Sequence, residues 1–227
     1  MKKNVFIIAA CSIYLCGYLV YGCKKDNNGQ EPNPGIASSF TEEFINMYEV
    51  INNKGWVSST AIENGLLWDQ GVTDAVDKGG IPYGFPAYSK TNSADEYAGI
   101  FRYDASANPI NSWLITPVLH LKNGDKISFY TRADMNSSTD RMMVTINSSA
   151  TKDIGNNTVS VGGFTTTVLD INPLNAAIGY PQSWQKYEFT ISGFPERKNV
   201  RIGFRYFSPG GSFARGIGID QFKYETN

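Results

Sequence analysis

Beyond residue 23 the chain contains no cysteine, and all three cysteines, Cys11, Cys16 and Cys23, lie near the amino terminus. The rest of the chain therefore forms no disulfide and no thiolate zinc site. Its stability must come from a core, a bound metal ion, or both. Histidine is almost as scarce. His120 is the only one, set between Leu119 and Leu121 so that it faces away from both, as a strand histidine at the solvent face or sheet edge does. One histidine and no Gly-x-Ser-x-Gly elbow give no support to a nucleophilic triad. No charge of one sign dominates, with 20 basic against 21 acidic residues, so the sequence implies no nucleic-acid or other polyanion partner. Long amphipathic helices are missing too, and Phe44 to Ile51 is the best short candidate. A Glu-x-Asp-x-x-Glu run, which places catalytic carboxylates on one strand face in lectin-like hydrolases, does not occur. Asp95 and Glu96 are adjacent and would point to opposite faces, and Asp134, Asp140 and Asp153 fall near turns.

The one long apolar run is at the start. Met1-Lys2-Lys3 is basic, Val5 to Val20 is mostly apolar, and Val20-Tyr21-Gly22-Cys23 closes the segment. A basic start, a short apolar stretch and a small residue before a cut make an export signal over residues 1–22. Gly22 directly before Cys23 resembles the lipobox of bacterial lipoproteins, and on that resemblance Cys23 is the acylated first residue of the mature chain. An uncleaved anchor is the alternative, and it leaves the remainder on the same side of the inner membrane. The polar, Asn-, Pro- and Gly-rich residues 23–38 bury no face and read as a flexible tether. The expected location is the outer membrane or cell surface, with membrane contact through the lipid anchor only.

Residues 39–227 suffice for one domain, without a repeat. Thirteen Tyr, 13 Phe, 4 Trp and 22 Gly favour many short strands joined by turns. Period-two patterns predict strands with Ile127, Phe129 and Thr131 on one face, and likewise Met142, Val144 and Ile146. Tyr187, Phe189 and Ile191 form a third set, and Val200, Ile202, Phe204 and Tyr206 a fourth. Trp113, Ile115, Phe129, Val144, Phe189 and Phe204 are expected in a single core. In Gly216 to Tyr224 the apolar residues are odd-numbered through Ile219 and even-numbered from Phe222. That slip predicts a bulge at Asp220-Gln221. Without alternating helices, the pattern argues for an all-β sandwich.

Several segments together resemble one family. They are Glu42-Glu43-Phe44, Gly55-Trp56, Ser112 to Pro117, Asp125 to Tyr130, Val200 to Arg205 and Ile217-Gly218-Ile219-Asp220. In this order the chain is similar to the cleaved-adhesin, or choice-of-anchor J, domain over roughly residues 39–226. The resemblance implies an all-β jelly-roll β-sandwich of two antiparallel sheets, with a role in adhesion to host or matrix proteins or in glycan binding. It also implies that Glu42 or Glu43 comes near Asp220, where two carboxylates and loop carbonyls make a structural calcium site. Ile45 and Gln221 stand where the family often carries further acids.

Ile81 to Tyr88 sets Tyr83, Phe85 and Tyr88 among Gly and Pro. On a loop these aromatics would offer stacking surfaces to sugar rings or a protein partner. Alternatively the loop folds over its own aromatics and caps the sandwich. The expected function is a non-catalytic, monomeric surface module binding a glycan or a host or matrix protein. The competitor is a polysaccharide hydrolase with carboxylates drawn from separate strands.

Overall fold

The structure, a computed structural model, describes residues 38–102, 108–134, 139–211 and 213–227. The segments expected to be export signal and tether, with Cys23, lie outside them up to residue 37. Among the described residues the chain forms fourteen strands and one helix. In chain order these are β1 (Phe40–Glu42), α1 (Met47–Asn53), β2 (Val57–Thr60), β3 (Asp69–Gln70), β4 (Ala75–Val76) and β5 (Pro82–Tyr83). Next come β6 (Ala98–Phe101), β7 (Ile110–Ile115), β8 (Leu119–Leu121), β9 (Lys126–Ala133) and β10 (Met142–Asn147). The last are β11 (Thr166–Ile171), β12 (Gln185–Thr190), β13 (Lys198–Ser208) and β14 (Gly216–Glu225).

Twelve of these strands form two six-stranded antiparallel sheets, and β4 pairs with β5 in a separate two-stranded one. The first runs β12-β9-β14-β6-β3, and β1 continues along the same side of β14 as β6. The second runs β11-β10-β13-β7-β2, with β8 beside β13. Neighbours distant in sequence, such as β9 with β14 and β10 with β13, give the crossed connections of a jelly roll. The Phe44-to-Ile51 expectation becomes α1, started later because the Asn46 side chain accepts the Glu49 amide at 3.1 Å and caps it. Met47 and Val50 pin this helix to the core.

Aromatic rings bridge the two sheets. Phe204 of β13 meets Phe129 of β9 at 5.0 Å and Phe222 of β14 at 6.0 Å, both edge to face. Phe222 in turn meets Trp56, and Trp56 meets Phe44, each at 5.1 Å. Such pairs add about 0.5–1.5 kcal/mol each beyond area burial. Val144 lies in the same cluster, as expected.

Trp113 and Ile115 require a correction. Both are buried, but in a separate cluster with Ile154 and Phe164 on the outer face of the second sheet. The segment after β10 folds back there. Asn111 donates to the Asn157 and Ser160 carbonyls, both at 2.9 Å, and the Arg205 guanidinium donates to the Val159 carbonyl at 3.0 Å. Because β7 is buried on both faces, apolar alternation cannot say which face meets the main core. Phe189, on the edge strand β12, is half-buried and packs against the main cluster.

Phe204 sits at the crossing of these ring contacts. Phe204→Ala should destabilise the domain by about 3–5 kcal/mol in denaturant unfolding. Val159→Ala, at an exposed site, should stay within about 0.5 kcal/mol. Equal effects would contradict this core.

Candidate functional site

The bulge predicted from the phase slip is present. Asp220 pairs with Tyr130 and Lys223 with Ser128, so β14 takes one residue more than β9 over this step. Gln221 absorbs the extra residue at φ 44°, in the left-handed region. Ile217 and Ile219 face the core before the bulge, and Phe222 and Tyr224 do so after it. Asp220 shares the outer face with Gly218 but is fully buried. Its Oδ2 accepts the Ser89 amide at 2.9 Å, and its Oδ1 accepts its neighbour's amide, Gln221, at 2.7 Å. Burial is the main cause that pushes its carboxyl up to about 7, and the Glu43 carboxylate adds to the rise.

The residue before Ser89 is thereby set on the sheet. The Tyr88 ring lies on Tyr130, with centroids 3.7 Å apart and planes 15° apart, while 44% of Tyr88 stays exposed. The Tyr130 hydroxyl first, then burial, holds the Tyr88 hydroxyl above its ordinary value.

This stack divides the outer face of the first sheet. One half is covered. Phe85 stacks on Tyr97 at 4.9 Å, Phe101, Trp184 and Tyr83 pack around them, and the Arg132 guanidinium lies 4.3 Å from the Phe85 ring centre. Gly218 makes room, since a Cβ there would come within 2.8 Å of both the Phe85 and Tyr97 rings. The Glu96 carboxylate accepts the amides of Thr91, Asn92 and Ser93, which together hold it below its usual range against the cost of burial.

The other half is open and polar. Thr41, Glu43, Ser128, Tyr130, Lys186, Gln221 and Lys223 border a hollow of about 290 Å³. Pairing aligns Thr41, Lys223, Ser128 and Glu188 as one rung across β1, β14, β9 and β12. Lys186, Tyr130 and Asp220 form the next. Lys186 pairs with Glu188 at 2.9 Å and Lys223 with Glu225 at 2.8 Å.

The candidate residues separate accordingly. Of the three loop aromatics, Tyr88 is exposed, Tyr83 is half-buried against Phe101, and Phe85 is buried at 4% exposure. Phe85 is thus corrected from a ligand contact to a packing residue, because Tyr97 and Arg132 already occupy its ring faces. Glu42 does not join Asp220. It pairs with Phe222 across the strands, and its carboxylate accepts Lys54 Nζ at 2.9 Å and the Phe44 amide at 3.3 Å. There it lines a different hollow of about 250 Å³ with Phe40, Trp56 and Pro117. Glu43 is the glutamate on Asp220's side. Among the described residues no three His, Cys, Asp or Glu side chains gather as a metal site.

His120 is half-buried in β8, between the buried Leu119 and Leu121. Asp134 accepts the Gly84 amide at 2.8 Å, and Asp140 accepts the Arg215 and Gly216 amides at 3.0 and 3.1 Å. Sequence reasoning missed Tyr130, Lys186, Gln221 and Lys223. Their signal was the solvent-facing half of the same alternations that marked the core.

No family model and no curated protein matches the chain. Solved structures do. The K1 cleaved adhesin domain of Lys-gingipain (Kgp) from Porphyromonas gingivalis W83 matches with a TM-score of 0.50 at 17% identity, covering 84% of this chain and 99% of that one. The K2 domain of Lys-gingipain matches with a TM-score of 0.50 at 15% identity, covering 83% and 100%. A weaker likeness, TM-score 0.42 at 11% identity, is to TmCBM61 in complex with β-1,4-galactotriose, covering 82% and 99%. The two adhesin domains show the fold: a jelly-roll β-sandwich.

The raised Asp220 carboxyl sets a sign for stability against pH. Between 3.8 and about 7 the folded state holds a proton that the unfolded state releases, so this group's contribution falls as pH rises through that window. In EDTA, the melting temperature of Asp220→Asn relative to the native protein should rise from pH 4 to pH 7 and then level. A flat difference would contradict the buried carboxyl.

Proposed function

We propose that this domain is a non-catalytic surface binding module that takes a glycan on the open half of its first sheet. The observation that carries this reading is the polar hollow beside an exposed, stacked tyrosine. The outer ring face of Tyr88 suits the apolar face of a sugar ring, and the hollow beside it is bordered by hydroxyls, an amide, two lysines and Glu43. Several acids of the folded part serve the fold itself. Glu96, Asp134 and Asp140 are tied to backbone amides, which favours binding over hydrolysis. A host or matrix protein is the other partner class, and the same open face would receive it.

Tyr88→Ala and Tyr130→Ala should each weaken binding to a glycan array by about tenfold or more, since truncating an aromatic anchor of a binding site costs about 2 kcal/mol. Their melts should stay near the native one. Undiminished binding in both variants would remove this face from the function.

The anchor and the ion complete the proposal. Lipid on Cys23 would hold the module at the outer membrane surface, so Cys23→Ala should abolish palmitate labelling. Calcium between Glu43 and Asp220 would keep both ionised and tie β1 to β14. Millimolar calcium should then raise the melting temperature at neutral pH, and Asp220→Asn should erase the rise. Superimposable native melts in calcium and EDTA would rule this ion out.

A further inference from the structure

Granting the reading above that this face binds glycan, we infer that the hollow selects an uncharged sugar unit, a neutral hexose or pentose, over uronic, sialic or sulfated units. The charges of the face are satisfied within the sheet. Lys186 is held by Glu188 at 2.9 Å, Lys223 by Glu225 at 2.8 Å, and Lys126 lies 4.0 Å from Glu188. Three lysines thus stand against Glu43, Glu188 and Glu225, and Asp220 lies behind them. Neither lysine that borders the hollow is left unpaired to draw a polyanion, whereas an added carboxylate or sulfate would meet Glu43 on the same border. The Glu43 carboxylate already disfavours the ionised form of Asp220, so this corner resists a further negative charge.

The hydrogen-bonding groups point the same way. Lysine donors alternate with glutamate acceptors along β12 and β14, and the Thr41 and Ser128 hydroxyls and the Gln221 amide can both donate and accept. A sugar hydroxyl also donates and accepts, so it can bridge neighbouring members of this set. A sulfate or carboxylate only accepts, so it would offer Glu43 no donor and would repel it. The hollow, about 290 Å³, lies at the lower edge of the roughly 300–1,000 Å³ typical of ligand pockets, which fits one ring against Tyr88 and not a long buried chain.

The test uses the purified protein in EDTA with three probes: neutral galactan and xylan oligosaccharides, polygalacturonate, and heparin. Each is titrated at about 0.02 M and about 0.3 M NaCl, since salt screens exposed charges over this range. The neutral probes should bind at least about tenfold tighter than the acidic ones, with less than about a twofold change with salt. Glu43→Gln/Glu188→Gln should raise heparin or polygalacturonate binding by about tenfold. Acidic probes that bind as tightly as neutral ones, or tightly only at low salt, would overturn the selectivity while leaving the glycan site standing. Binding of neither class would overturn the glycan reading itself, and this inference with it.

Discussion

The buried carboxylate of Asp220 is the constraint on which the outer face depends. It sits at the one place where β14 gains a residue, and its oxygens accept the amides of Gln221 within the bulge and Ser89 on the covering loop. The first bond supports a backbone turn that a non-glycine residue adopts at a cost. The second fastens a loop more than a hundred residues away in sequence, and so sets Tyr88 on Tyr130. A carboxylate removed from water this fully must be repaid by donors or a cation, or else stay protonated. Burial here outweighs the backbone donors around the carboxyl, so its pKa is raised.

The bulge also reconciles the core with the surface. Without the extra residue, Phe222 and Tyr224 would turn outward and the ring chain from Phe129 through Phe204 to Trp56 would break. With it, a single strand supplies Ile217 and Ile219 to the core, then Asp220 to the outer face, then Phe222 and Tyr224 to the core again. Packing and site are two consequences of one slip in register. The loop carrying Phe85 and Tyr97 uses the glycine at 218 to close over one half of the sheet, and its edge at Tyr88 leaves the other half open.

Much of this was legible in the sequence where the two faces of a strand differ in polarity, whether or not water reaches the polar one. Ile127 and Phe129 alternate with Ser128 and Tyr130, and Ile202 and Phe204 alternate with Arg201 and Arg205, whose buried guanidinium groups find carbonyl partners. The phase slip at Asp220-Gln221 read correctly for the same reason. Legibility failed where both faces of a strand carry large apolar side chains. Trp113 and Ile115 are as buried as Leu114, and only the tertiary path of residues 148–165 decides which side meets the main core. Phe85 looked like an exposed loop aromatic because Gly and Pro surround it, yet Tyr97 of the same loop and Arg132 of β9 take its two faces. Glu42 and Glu43 are adjacent and chemically alike, and strand parity alone sends one to Lys54 and the other toward Asp220. Lys186 and Lys223 read as ordinary solvated positions, since a binding face made of paired charges has no compositional mark.

The central claim is that the open half of the first sheet, seated by Asp220, is where the ligand lies. A crystal structure of the protein soaked with a neutral oligosaccharide tests it most directly. A sugar ring is predicted over Tyr88, with hydroxyls bonded to Lys186, Gln221 or Lys223. Ordered sugar in the hollow beside Glu42 and Trp56, with the Tyr88 face empty, would contradict it.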